Sequence, residues 1–170
     1  MKKFLMFAGL FFAVATASAQ AVLGKGNVQL NAGFGTSGWG VPVYVGLEAG
    51  LNKDITLGGE VSFRSYSADW VYTKYTHNIF GVMAVGNYHF NSIIPALPSQ
   101  VDVYAGMGLG FFISSSSSGY TGDGYSGFNA RIHTGGRYFF SNSFGVNLEL
   151  GAEVGQLNNG IAKVGITYKF

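Results

Sequence analysis

Residues 161–170 alternate without a break, with Ala162, Val164, Ile166, Tyr168 and Phe170 falling on one face and Lys163, Gly165, Thr167 and Lys169 on the other. A period of two is the signature of a β-strand with unlike faces. Stretches of roughly ten residues with the same alternation recur along the chain, as in the strands of a membrane barrel. A chain built this way has to satisfy its backbone between strands, and a closed sheet does so without leaving an edge.

Eight such strands are expected. The first covers about 27–35 with Val28, Leu30, Ala32 and Phe34 on its apolar face, the second about 41–51 with Val43, Val45 and Leu47, and the third about 55–66 with Ile55, Leu57, Val61 and Phe63. The fourth covers about 77–90, the fifth starts near Val101 after Pro95 and Pro98, and the sixth covers about 127–140. Proline lacks the donor a ladder interior needs, which keeps 91–100 outside a strand. The seventh runs from Phe144 to Val154 and the eighth from Ile161 to Phe170. Turns are expected at Asn52-Lys53-Asp54, Ser141-Asn142-Ser143 and Asn158-Asn159-Gly160. An even strand number puts both termini at one end. In outer-membrane barrels that end is periplasmic, which makes 67–76 and 113–126 external loops, the second opening on the serine run Ser114–Ser118.

The chain opens with Lys2 and Lys3, an apolar run from Phe4 to Val14, and Ala17-Ser18-Ala19. This is the order of a secretory signal peptide, 1–19, with cleavage expected after Ala19 and a single barrel domain over 20–170. Two of the basic residues behind the formal charge of +2 leave with that segment, so no basic excess remains to suggest a nucleic-acid partner. Cysteine is absent, so disulfides do not supply stability. Charged residues make up 11% of the chain, too few to clothe a water-facing surface.

Alternation alone does not say which face points inward, and a soluble barrel would turn its apolar face to a cavity. Three features choose the membrane arrangement. The polar face is crowded with glycine (Gly33, Gly46, Gly106, Gly108, Gly110, Gly135, Gly165 among others), as a narrow lumen requires. The charges on it are balanced in sign: Glu48, Glu60, Asp102, Glu149 and Glu153 against Arg64, Arg131, Arg137, Lys163 and Lys169. Aromatic residues gather at strand ends as two girdles, with Tyr88, Phe90, Tyr138, Phe140, Phe144, Tyr168 and Phe170 in one and Phe34, Phe63, Phe80, Phe111 and Phe128 in the other.

Gly86-Asn87-Tyr88-His89-Phe90, Asp102-Val103-Tyr104-Ala105-Gly106 and Gly136-Arg137-Tyr138-Phe139-Phe140 look like strands of the small outer-membrane barrel family of the OmpX or OmpA-barrel type, which residues 20–170 resemble. The resemblance implies an all-β, eight-stranded antiparallel up-and-down transmembrane barrel. It also implies that Tyr168-Lys169-Phe170 is the end signal read by barrel-assembly machinery. Unlike the OmpA pattern, no peptidoglycan-binding domain is expected after Phe170, and cell-wall anchoring is not implied.

Of the side chains that could carry chemistry, His133 stands out because it shares the expected lumen with Glu149 and Glu153. A turn centred on Asn142 places Arg131 opposite Glu153, and Lys163 is expected opposite Glu153 from the other side, giving a carboxylate clamped between two cations. A catalytic histidine needs a nucleophile or bound substrate. Thr134 points away from His133, and the His-x-Ser arrangement of barrel enzymes that trim lipid A is absent at His77, His89 and His133. Asp123 between two glycines is too little for a calcium site, and Gly106-x-Gly108-x-Gly110 precedes no helix, so it is no nucleotide fingerprint. Neither catalytic, cofactor nor metal residues are expected. The expected role is structural or adhesive: an ion-paired, filled lumen, a monomer in outer-membrane lipid and lipopolysaccharide, and an extracellular ligand met through 67–76 and 113–126. Asp69, Trp70, Tyr72, Lys74 and Tyr75 are read first as extending the third and fourth strands, and second as a binding tip. A narrow passive pore and a lipid-A-modifying enzyme are the rival functions.

Overall fold

The computed structural model describes residues 22–70, 73–116 and 126–170, so the expected signal peptide lies outside the described residues. Its strands are β1 (Val28–Ser37), β2 (Val43–Gly50), β3 (Ile55–Trp70), β4 (Thr73–His89), β5 (Val101–Ser116), β6 (Gly127–Phe139), β7 (Phe144–Gly155) and β8 (Asn159–Lys169). Each pairs antiparallel with the next, and β8 pairs back onto β1 from Gln29↔Lys169 to Ser37↔Ile161, closing the barrel. Closure leaves every strand with a neighbour on both sides.

The expected faces hold strand by strand. Val45, Leu47, Leu57, Val82, Leu109, Ile132, Leu148, Leu150 and Val164 are exposed on the outer wall, whereas Gln29, Glu48, Arg64, Asp102, Arg131, Arg137, Glu153 and Lys163 are buried within. A surface apolar on the outside and charged on the inside suits a hydrocarbon solvent. The girdles form as expected, with Tyr88 edge-on to Phe90, Tyr138 to Phe140, Tyr168 to Phe170, and Phe111 to Phe128.

Three expectations are corrected. Segment 67–76 is not a loop for most of its length, since the β3–β4 ladder continues from Ser67↔Thr76 to Trp70↔Thr73. The extension of the third and fourth strands read for Asp69, Trp70, Lys74 and Tyr75 is what the ladder forms, with Asp69 paired to Lys74 and Ala68 to Tyr75. Likewise β5 runs through Ser116, so the serine run begins as strand, while 117–125 lie outside the described residues.

The third correction concerns β8, which starts at Asn159 rather than Ile161. The turn is made instead by Gly155, whose φ of +134° suits glycine alone, and by Asn158, whose Oδ1 accepts from the Gly155 amide at 3.1 Å. This draws Leu157 fully inside the barrel and pairs Lys163 with Glu149, not Glu153; Asn159 faces Glu153.

Candidate functional site: the lumenal side-chain network

The lumen is a stack of side chains held by inward positions of all the strands. At the end that carries the chain termini, Glu48 on β2 accepts from Asn31 at 2.7 Å, Thr56 at 2.8 Å, Asn87 at 3.0 Å and the Arg137 guanidinium at 2.6 Å. Arg137 also donates to Asp102 at 3.0 Å, and the Gln29 amide, with its oxygen assigned to the side that faces the guanidinium, accepts at 3.0 and 3.2 Å. The guanidinium lies 4.2 Å from the Tyr104 ring centre, which gives its flat face a partner too. Below this layer Leu23, from the segment leading into β1, is buried.

In the middle, Glu60 bonds Arg131 at 2.7 Å and Lys163 at 2.8 Å. Lys163 also reaches Glu149 at 2.6 Å, and Glu149 accepts from the Tyr104 hydroxyl at 3.3 Å. The two layers are stitched by Asn87, which donates to Glu48 and whose Oδ1 lies 2.7 Å from His133 Nε2. A cavity of about 20 Å³ separates them, bounded by Tyr44, Glu48, Glu60, Tyr104, Arg137 and Glu149. That is room for about one water molecule.

Toward the other end, Arg64 grips Glu153 through two bonds of 3.0 Å each, and Asn159 adds a third at 3.0 Å. Beside the pair, Ile79, Met83, Val85, Phe112 and Leu157 form an apolar cluster inside the lumen, with Trp39 against it, and Ile79 stands opposite Arg64 in the β3–β4 ladder.

The structure therefore brings the expected residues together in different pairs. Arg131 does stand opposite Glu153 in the β6–β7 register, but its side chain crosses the lumen to Glu60. Glu153 is held by Arg64 and Asn159 instead of being clamped between Arg131 and Lys163. His133 approaches Glu149 only to 3.9 Å and bonds Asn87.

One arrangement escaped the sequence reading. His89 places Nδ1 2.7 Å from Asp102 and Nε2 3.1 Å from the Thr56 hydroxyl, which is the spatial order of acid, base and nucleophile in acyl-transfer enzymes. The hydroxyl, however, donates to Glu48, and all three residues are 1% exposed. In this state the row is one more side of the polar network. Inward parity of Thr56, His89 and Asp102 was the signal that could have found it. Among the described residues no group of histidines and carboxylates has the arrangement of a metal site.

This inside-out, closed antiparallel barrel has the architecture of the eight-stranded β-barrels that span membranes. No protein-family model matches the chain, and no curated protein matches it in sequence. Solved structures do. Neisserial surface protein A (NspA) superposes with a TM-score of 0.63 at 16% identity, covering 85% of this chain and 96% of that one. The N-terminal β-barrel domain of Pseudomonas aeruginosa OprF gives 0.59 at 16% identity, covering 86% and 99%. Ail, the attachment invasion locus protein of Yersinia pestis, gives 0.54 at 16% identity, covering 86% and 99%. At these identities the likeness is one of fold.

Proposed function

We propose that the chain is a non-enzymatic integral barrel of a bacterial outer membrane, of the OmpX or OmpA-barrel family, that closes its own lumen and displays the strand connections opposite its termini to an extracellular partner. The observation that carries this reading is the mutual pairing of lumenal charges, Glu48 and Asp102 with Arg137, Glu60 and Glu149 with Lys163, Glu153 with Arg64. Charges spent on one another are not lining an aqueous path. The fold likeness to NspA, OprF and Ail supports the location, and Ail's designation as an attachment protein supports a surface-binding role. A fold alone does not assign a function.

A lipid-modifying enzyme is disfavoured by direction. Acyl chains lie against the outer wall, whereas His89, Asp102, Thr56 and His133 all face inward and are buried. The barrel resides as a monomer among outer-membrane lipids and lipopolysaccharide, and its assembly uses the strand ending Tyr168-Lys169-Phe170. Fractionation tests the location. Recovery with the outer membrane, together with gel mobility that changes on heating, is expected, and recovery in the soluble periplasm would overturn it. Incubation with lipopolysaccharide should leave its acyl chains intact by mass spectrometry; acyl loss abolished by His89→Ala or His133→Ala would defeat the non-enzymatic reading.

A further inference from the structure

The connection between β4 and β5 is eleven residues, 90–100, without a single charge: Phe-Asn-Ser-Ile-Ile-Pro-Ala-Leu-Pro-Ser-Gln. It begins with a one-turn helix, Phe90–Ser92, in which the Phe90 carbonyl accepts from the amides of both Ile93 and Ile94 at 2.9 Å. Residues three and four apart in such a turn share a face. Phe90, Ile93 and Ile94 therefore stand together, with Asn91 and Ser92 turned the other way.

The two faces have different surroundings. Asn91 donates to the Val101 carbonyl at 2.6 Å and accepts from the Val103 amide at 3.4 Å, and Ser92 donates to Asp54. The polar side is thus bolted to the base of β5 and to the β2–β3 turn. The rest of the connection is pinned as well, by Leu97 to Ile94, Val101 to Pro98 and Phe139 to Gln100. On the apolar side Ile93 is 61% and Ile94 42% exposed, and the Phe90 ring stands edge-on to Tyr88, 5.4 Å away, in the lipid-facing girdle. Pro95 then stops the helix.

We propose that residues 90–94 form a one-turn amphipathic anchor that seats Ile93 and Ile94 in the boundary between acyl chains and headgroups of the leaflet at the terminus-bearing end. The occupant of this face is lipid because the face is continuous with the girdle: it starts at Phe90, inside the aromatic band, and extends it by one turn. An uncharged turn whose Asn91 and Ser92 side chains are satisfied by the barrel is suited to that boundary. The proposal rests on the membrane reading of the fold.

The chain has no cysteine, so single nitroxide labels can be placed without background. Labels at Ile93→Cys, Ile94→Cys, the outer-wall reference Leu148→Cys and the solvent reference Ser99→Cys are each refolded into vesicles of phosphatidylethanolamine and phosphatidylglycerol. Relaxation by oxygen and by a nickel chelate then reports immersion. Labels at 93 and 94 are expected to be several-fold less accessible to nickel than the label at 99, and oxygen-favoured like the one at 148. Nickel accessibility at 93 and 94 equal to that at 99, with 148 still oxygen-favoured, would overturn the anchor. Such a face would be solvated or kept for a periplasmic protein. Nickel access at 148 as well would instead overturn the membrane reading itself.

Discussion

Arg64 and Glu153, 89 positions apart in the chain, face each other across the lumen through two parallel hydrogen bonds of 3.0 Å, with side chains 1% and 0% exposed. A bidentate pair so enclosed ties β3 to β7 directly. The outer ladder does not join those strands, so this contact braces the barrel across its bore.

Removing one partner leaves the other charge enclosed. Arg64→Ala is expected to lower stability by about 3–5 kcal/mol, the range for breaking a buried pair, measured by urea unfolding in lipid vesicles. A double-mutant cycle separates partners: Arg64 and Glu153 should show strong coupling, whereas Arg131 and Glu153, ladder neighbours whose side chains part company, should show little. The opposite ranking would contradict the pairing described.

The outer wall gives a second test. Leu150 is exposed near the middle of β7, between inward-facing Glu149 and Gly151. Leu150→Arg should destabilise by about 2–4 kcal/mol, as a cation does near the bilayer midplane, while Leu150→Phe should fold like the parent. An arginine tolerated there would mean that this face does not meet lipid.

Leu157 tests the apolar cluster beside the Arg64–Glu153 pair. It is fully buried among Ile79, Phe112 and their neighbours. Leu157→Ala is expected to cost about 2–5 kcal/mol, as truncations of enclosed leucines do. Leu157→Met should lose much less, and equal losses from the two would argue against close packing at this point.

Gly135 shows what the crowded lumen demands of glycine. A β-carbon built there would stand 2.5 Å from the Tyr104 hydroxyl and 2.8 Å from the Leu148 carbonyl. Gly135→Val should therefore displace Tyr104 from Arg137 and Glu149, and is expected to reduce the yield of the heat-modifiable folded form. Removing the ring with a second change, Tyr104→Ala, should restore part of that yield.

Much of this architecture was legible because the side-chain period of a strand is two and the barrel is narrow. With Lys163 and Thr167 on one face and Val164 and Ile166 on the other, balanced charge and interleaved glycine identify the inside. The β8 register differs from the expected one because Asn158-Asn159-Gly160 offers good turn chemistry of its own, whereas the chain turns at Gly155 with its positive φ. Pairing across the lumen was not legible at all. Ladder neighbours follow from a turn, but the meeting of Arg64 with Glu153, or of Arg131 with Glu60, depends on the stagger of the closed sheet. Ile79, Met83, Val85 and Phe112 were obscured for another reason: apolar residues on both faces of β4 and β5 blur the alternation that marks the lumen.

Paired charges that close the bore leave ions no path through the barrel, which single-channel recording in planar bilayers reads out. The purified barrel is expected to give no steady open current, and disrupting the middle layer with Glu60→Ala and Lys163→Ala together should raise the frequency of openings. A stable open conductance in the unaltered protein would show that the charges line a pore and do not close one.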